Sequence, residues 1–296
     1  MKRTSCNLCA GTRSELVRKG VYGNPRQNVH RCGTCGHLYL APFLSDAEEE
    51  TFYINEYPAF LLKRGDFRNA SGPVHFAKNR GEAERRLADL TGVLSRRQTV
   101  LEIGSASGFF LHALKGRVAS VCGVEPHADY AAFARRKGVP TVAGLGHVGE
   151  RKFDLVCMYY VLEHIKDPHG FLTHISKLLR GKGAKLVIEV PNAEEALVSL
   201  YRSKAYDEFV WQRAHCSYFS HPVLERLLRQ HGFKPRSIPV QRYDLSNHMV
   251  WLGEGRPGGL GRYREVFSEA LEREYKDSLK RRWICDSILV IAEAGR

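Results

Sequence analysis

Between residues 99 and 192 the chain alternates short apolar runs with longer stretches of helical period, and no other feature restricts its fold so tightly. The apolar runs are TVLEIG (99–104), SVCGVE (120–125), FDLVCMYY (153–160) and AKLVIEVPN (184–192), with a weaker one at VPTVAG (139–144). Between them lie GFFLHALKG, HADYAAFARRKG and GFLTHISKLLRGKG. Gly116, Gly138 and Gly181 stand where a helix end needs a residue that accepts the left-handed conformation. Strands that read as continuous apolar runs are covered on both faces, so the pattern specifies a doubly wound, mainly parallel α/β sheet.

The flanks follow other rules. Residues 1–40 are turn-rich with short β-type runs, and an acidic helical piece begins at Ser45. An aromatic stretch, TFYINEYPAFLLKRGDF, leads to a helix expected from Pro73 to about Ser95. Beyond Pro191 we expect a helix over 193–203, an aromatic loop (YDEFVWQRAHCSYFS), a helix at HPVLERLLRQHG and a strand at KPRSIPVQRY. The Gly/Pro-rich LGEGRPGGLG then reads as a loop, residues 262–282 as a charged helix, and CDSILVIAEA as the last strand. The organisation expected is a small module at 1–45, a helical linker or lid at 46–96 and the α/β domain at 97–296, with insertions at 193–222 and 244–282.

Eight cysteines divide into two groups. Cys122, Cys157 and Cys285 lie in apolar runs and read as small core residues, and Cys216 follows a histidine in a polar segment. Cys6, Cys9, Cys32 and Cys35 form two Cys-x-x-Cys pairs, the spacing of a zinc ribbon, with Gly33 and Gly36 relieving the second turn. About forty residues build little core, so a structural Zn²⁺ would supply the folding free energy. His30 and His37 are spare ligand candidates and otherwise read as surface histidines.

The segment VLEIGSASGFF ends a strand, turns on small residues and opens a helix. Gly104 and Gly108 let the backbone approach a ligand, and Glu125, ending the next strand, can accept from both hydroxyls of a ribose. This suits any nucleotide-binding Rossmann-like domain. The dinucleotide fingerprint needs three glycines spaced G-x-G-x-x-G. Here the turn is G-S-A-S-G, preceded by Glu102. A carboxylate beside the turn repels a pyrophosphate but suits an ammonium and a sulfonium.

VLEIGSASGFF, VCGVEPHADYAAFARRKG, FDLVCMYYVLEHIKDPHGFL and KGAKLVIEVPN resemble, in order and spacing, the successive motifs of class I S-adenosylmethionine (SAM)-dependent methyltransferases. The resemblance covers about residues 97–192 and implies a seven-stranded, mainly parallel sheet and SAM as cofactor. It implies that Glu102, Gly104, Ser105 and Gly108 cradle the methionine part, Glu125 the ribose, and Leu145 the adenine. Ala106 stands where the usual pattern has a middle glycine. The N-terminal cysteines followed by CGHLYLAPFLSDAEEE are similar to the ribbon of sugar C-methyltransferases and of methyltransferases from antibiotic and polysaccharide clusters.

Methyl transfer to a hydroxyl or carbon acceptor needs a base. In the zinc-bearing sugar methyltransferases that this chain resembles, a block E-H-x-x-Y-F-S carries it. His215, Tyr218, Phe219 and Ser220 match that block, while Ala214 replaces the glutamate. His215 is the first candidate base, His164 the second, and Tyr218 accompanies them. Glu163 and His164 equally suit a role in orienting the loop after the FDLV strand. Tyr53 and Tyr57 are candidate acceptor contacts. His248, Asn247 and Arg242 lie in a turn-rich segment of the kind that carries specificity.

The chain carries a formal net charge of +13. Basic residues exceed acidic ones by 16 to 10 over 1–98, 12 to 10 over 99–199 and 17 to 12 over 200–296, so the excess sits on the flanks. Such a field favours an anionic or nucleotide-linked small molecule, with RNA or an anionic membrane surface as other partners. No run approaches the roughly 20 apolar residues of a membrane span, and the N-terminus lacks a signal-peptide core, so a cytoplasmic location is expected. The reading is therefore methyl transfer to a sugar-containing small molecule. The alternatives are an RNA methyltransferase using the ribbon as a clamp, and a non-catalytic SAM-binding scaffold.

Overall fold

A computed structural model describes residues 5–56, 59–60 and 71–295. The N-terminal part forms the antiparallel strands β1 (Ser14–Arg18), β2 (Asn28–Cys32) and β3 (Leu38–Ala41). Helix α1 (Asp46–Thr51) starts at a capping box, in which Glu48 N–H donates to Ser45 Oγ (3.3 Å) and Ser45 N–H to the Glu48 carboxylate (2.8 Å). The single helix expected from Pro73 is two helices, α2 (Gly72–Lys78) and α3 (Arg80–Asp89). Asn79 separates them in a non-helical conformation (φ −97°, ψ 15°), with both its backbone N–H (3.2 Å) and its side-chain amide (2.7 Å) donating to the His75 carbonyl.

The α/β unit then runs β4 (Thr99–Ile103), α4 (Phe109–Leu114), β5 (Ser120–Val124), α5 (Ala128–Arg136), β6 (Thr141–Val142), β7 (Leu155–Tyr159), α6 (Pro168–Leu178) and β8 (Lys185–Pro191). It continues through α7 (Ala196–Ser199), α8 (Lys204–Val210), β9 (Ser217–Tyr218), α9 (His221–Gln230), β10 (Phe233–Val240), α10 (Leu245–Glu254), α11 (Glu269–Arg281) and β11 (Ser287–Ala294).

Seven strands make one sheet in the order β10-β11-β8-β7-β4-β5-β6. The five from β8 to β6 are parallel, and β11 is antiparallel to both its neighbours. Leu101, Val156, Ile188 and Val290 on one face and Val100, Leu155, Val187 and Leu289 on the other are all fully buried. Each is worth roughly 1.5–3 kcal/mol, which is why these strands are apolar on both faces. The strand order reverses at β4, whose neighbours are β5 and β7, and the carboxyl ends of such strands open the crevice where ligands bind.

Three segments differ from expectation. The helix foreseen over 193–203 contracts to α7, and α8 lies partly within the stretch expected as an aromatic loop, started by Ser203 Oγ, which accepts from Tyr206 N–H (3.4 Å). Residues 245–254 are helical rather than turn: Asp244 Oδ1 accepts from Asn247 N–H (2.8 Å), Val250 and Trp251 are buried, and Gly255 (φ +64°) ends the helix. The charged helix begins at Glu269 instead of 262, where Ser268 provides its cap. Among the described residues no helix is long and apolar enough to cross a membrane.

The small sheet has the order β1-β2-β3-β9, so its fourth strand comes from the segment expected to carry the base. Leu38 pairs with Tyr218 and Tyr39 with Ser217.

Candidate active site

The turn after β4 needs three left-handed residues: Gly104 (φ +72°), Ala106 (φ +46°) and Gly108 (φ +75°). The N–H groups of Gly104 and Ser105 donate to Val124 O (2.9 and 3.1 Å), tying the turn to the end of β5. Glu125 secures it from the other side. One carboxylate oxygen accepts from Ala106 N–H (2.7 Å) and the other from His127 N–H (2.8 Å). Burial pushes this carboxyl up, against the pull of those two donors. Each oxygen keeps a further lone pair. A Cβ on Gly104 would lie 2.7 Å from Val161 Cγ2, so the turn packs directly on the loop after β7. From α2, His75 Nδ1 lies 2.8 Å from Ser107 Oγ, closing the turn from outside.

Beneath the turn, Glu102 is 1% exposed. Arg86 Nη1 donates to it across 3.1 Å, and the guanidinium carbon lies 3.9 Å from the centre of the Tyr159 ring. Burial pushes the Glu102 carboxyl up to about 8, Arg86 pulls it down and Glu125 adds to the rise. Glu102 Oε2 and Ser105 Oγ are buried and have no hydrogen-bond partner among the described residues. Two buried carboxylates beside a glycine turn, with acceptor capacity to spare, fit the ammonium and ribose hydroxyls of SAM.

The loop after β7 and the loop before β9 meet near this turn. Glu163, His164 and His215 each offer one ligand atom, all within 4.8 Å of one another. The two imidazoles meet edge to face with centroids 4.9 Å apart. His164 Nδ1 donates to Ala214 O (2.8 Å), which leaves Nε2 as the basic nitrogen. The Gln212 side-chain amide lies 3.0 Å from His215 Nε2. A small depression adjoins Ala214; Gln27 and Phe43 from the N-terminal part line it together with Glu49, Lys166, Arg213 and Cys216.

The four ribbon cysteines converge, with Cys6 and Cys35 sulfurs 3.6 Å apart and those of Cys9 and Cys32 3.5 Å apart. A tetrahedral site with Zn–S bonds of about 2.3 Å has edges of about 3.8 Å. Leu8 and Thr34 N–H groups point at the Cys6 and Cys32 sulfurs (3.4 Å each), as the two knuckle turns require. Against burial, which raises it, backbone hydrogen bonds from Cys35 and Thr34 hold the Cys32 thiol down to about 7. The donor set and its spacing fit a Zn²⁺ ion.

A family model described as a methyltransferase domain matches residues 75–238. The chain belongs to this methyltransferase family. It is 32% identical over 183 residues to the C-methyltransferase NovU of Streptomyces niveus, a match spanning 59% of this chain and 41% of NovU. It is 27% identical over 174 residues to an uncharacterised methyltransferase of Anoxybacillus flavithermus, covering 52% and 76% of the two chains. A chain from the complex between the Haloferax volcanii Trm112 methyltransferase activator and a methyltransferase superposes with a TM-score of 0.55 at 15% identity, over 81% of this chain and 98% of that one. A SAM-dependent methyltransferase of Archaeoglobus fulgidus gives 0.50 at 18%, over 81% and 100%. These two structures share the fold.

Against the expected site of this methyltransferase, Gly104, Gly108 and Glu125 meet at the turn and Glu102 lies beneath it. Ser105 Oγ turns toward β5, where a Cβ on Gly123 would lie 2.5 Å from it. Leu145 opens a short 3₁₀ turn (Leu145–His147) and packs against the core. Tyr218 directs its hydroxyl at the Gln212 backbone, accepting from N–H (2.8 Å) and donating to the carbonyl (3.1 Å), and so shapes the loop that carries His215. His37 is a correction: it is fully buried, with Nε2 3.2 Å from Ser217 Oγ, because it lies between the ribbon and β9. Asn247 and His248 are buried in α10, with His248 Nδ1 2.5 Å from Tyr275 Oη. Arg242 pairs with Asp286 (3.2 Å). Tyr57 and the side chain of Tyr53 lie outside the described residues. Sequence reasoning missed Arg86 and Gln212. Arg86 lies sixteen residues before Glu102, and only an amphipathic helix with an arginine on its buried face could have signalled it.

Proposed function

We propose that this chain transfers the methyl group of SAM to a sugar-containing small molecule, with His215 taking the acceptor's proton. The observation that carries the reading is one of adjacency. Val161 packs on Gly104 of the cofactor turn, and His164, three residues on, meets His215 edge to face. The candidate bases thus adjoin the crevice where the methyl donor fits. NovU, a C-methyltransferase by name, supports carbon as the atom methylated.

SAM supplies an electrophilic methyl group on a sulfonium. The chain's own residues do the rest. Glu125 holds the ribose hydroxyls, and Glu102 with the turn of Gly104 and Gly108 receives the methionine end. The acceptor oxygen or carbon is held in line with the methyl group, where positioning alone lowers the barrier. The His215 imidazole would take the acceptor's proton as that acceptor gains the methyl group and the sulfonium carbon–sulfur bond breaks, and solvent would then carry that proton away. The Gln212 side-chain N–H donates to His215 Nε2 (3.0 Å), and would have to yield that lone pair to the acceptor's proton. The ribbon would bind structural Zn²⁺ through Cys6, Cys9, Cys32 and Cys35, and its Gln27 and Phe43 form one wall of the depression beside Ala214.

The test is to incubate the protein with methyl-labelled SAM and, separately, a panel of nucleotide sugars, glycosylated metabolites and total RNA. Label is expected in a sugar-containing product. Label in RNA alone would overturn the acceptor class, and SAM binding without transfer to any acceptor would point to a scaffold.

A further inference from the structure

Glu163, His164 and His215, the first of which the methyl-transfer reading leaves without a chemical role, make a cluster of metal-ligating groups. One carboxylate and two imidazoles present ligand atoms within 4.8 Å of one another. Glu163 is 2% exposed and His215 8%. This donor set is the one that borderline divalent ions such as Zn²⁺, Co²⁺ and Ni²⁺ prefer. The Nδ1–H of His164 is spent on Ala214 O, which fixes the tautomer and presents Nε2, the outer hydrogen bond that metal-binding histidines make. Bonds of about 2.0–2.1 Å put tetrahedral donor atoms roughly 3.3 Å apart, so closing on an ion takes a shift of at most about 1.5 Å per pair.

The backbone supports the cluster from both sides. Glu163 and His164 sit in a 3₁₀ turn (Leu162–His164) directly after the fully buried β7. His215 is held between the Gln212–Tyr218 hydrogen bonds and the pairing of β9 with β3. Three protein ligands leave coordination positions open, unlike the closed four-sulfur site.

We propose that Glu163, His164 and His215 form a second metal site, for a divalent transition ion, and that an ion there blocks methyl transfer by occupying the imidazole lone pairs. The binding stands on the geometry alone. The block rests on the reading of His215 as base.

The probe is Co²⁺, added to full-length protein whose ribbon already holds zinc. One further Co²⁺ per chain is expected, with ligand-field absorption and none of the sulfur-to-cobalt charge transfer that a cysteine site gives. His164→Asn and Glu163→Gln should each abolish that equivalent; His164 is half-exposed, so its variant keeps the test open if the Glu163 variant does not fold. With an accepted substrate, saturating Co²⁺ should lower turnover about 100-fold, the lower end of what a general base contributes, while SAM affinity by calorimetry stays unchanged. No further equivalent, or one that persists in both variants, overturns the site. Occupancy with undiminished turnover overturns the block. A chain that methylates nothing defeats the functional reading and leaves the cobalt titration to stand on its own.

Discussion

Arg86 reaches from α3 to Glu102 across 3.1 Å, and neither side chain is more than 8% exposed. A buried pair of this kind stands or falls together, because removing one partner leaves the other uncompensated. Glu102 has an outlet: burial has already moved its carboxyl to about 8, so it can take up a proton. Arg86→Met raises that value further, and a raised carboxyl stabilises the fold at low pH and ceases to as pH climbs through it. The pH-dependent part of the variant's loss should therefore open only above about pH 8, where the parent's Glu102 ionises and the variant's does not, and should be up to about 1.4 kcal/mol larger at pH 9 than at pH 6. Urea denaturation at the two pH values measures this; an equal loss at both would show that Arg86 does not govern the ionisation of Glu102.

Ala106 occupies the left-handed conformation (φ +46°) in the middle of the cofactor turn. An L side chain there costs roughly 1–2 kcal/mol, and the extra backbone freedom of glycine offsets roughly 0.5–1 of it. Ala106→Gly should accordingly stabilise the protein by up to about 1 kcal/mol. Its N–H to Glu125 survives the change, so SAM affinity should hold. A variant less stable than the parent would mean that the methyl group packs usefully.

Glu195 is 4% exposed, and burial pushes its carboxyl up to about 8, the Tyr206 hydroxyl opposing and Asp286 adding. A folded value above the unfolded one means that stability is present below about pH 4.5 and drains away as pH rises toward 8. Glu195→Gln cannot titrate. Its stability should fall less than the parent's between pH 5 and 8. The difference should reach a few kcal/mol, because each pH unit between the unfolded and folded titration points carries about 1.4 kcal/mol. Parallel stability curves for the two proteins would rule out a buried neutral Glu195.

How much of this was legible in sequence depends on the range of the signal. β4, β5, β7 and β8 are apolar on both faces, so period and composition announce them, and Gly104 and Glu125 follow from their places at strand ends. The cysteine pairs are equally local. The break at Asn79 was not read, because a change of backbone angles at one polar residue leaves the apolar pattern intact. α10 was misread although Asp244 and Gly255 bracket it with ordinary cap residues. The pairings Arg86–Glu102 and His164–His215 bring together residues 16 and 51 positions apart. No pattern in one sequence carries that information, because it is set by how α3 and the loop before β9 pack on the sheet.

His215 has the sharpest functional consequence. Replacing it with alanine should lower kcat by about 10²–10⁴, the contribution of a general base, with SAM affinity almost unchanged because the cofactor turn lies on other residues. Tyr218→Phe keeps the ring against Trp211 and His215 but deletes both hydrogen bonds to Gln212, so its loss should be smaller. Turnover with the accepted substrate and calorimetry with SAM separate the two. Full turnover in His215→Ala would move the proton transfer elsewhere, with His164 next.

The ribbon is tied to the same loop, and that gives its metal a reach beyond its own fold. β3 pairs with β9 through Leu38–Tyr218 and Tyr39–Ser217, and Leu40 N–H donates to Cys216 O (3.0 Å). Asn7, next to Cys6, donates to Ser217 Oγ (3.0 Å), and His169 of α6 donates to Leu8 O (2.9 Å). Structural zinc contributes about 10 kcal/mol or more to the folding of small modules with so little core. Stripping it with a chelator, or Cys32→Ser, should unfold the ribbon, free β9 and loosen the loop that positions His215. Elemental analysis should find one zinc per chain at the cysteine site, and its removal should lower the thermal midpoint and kcat together while SAM still binds the crevice on the larger sheet. Native protein without zinc would reject the ribbon metal; a zinc-free chain with unaltered kcat would show that β9 holds the loop without help from the ribbon.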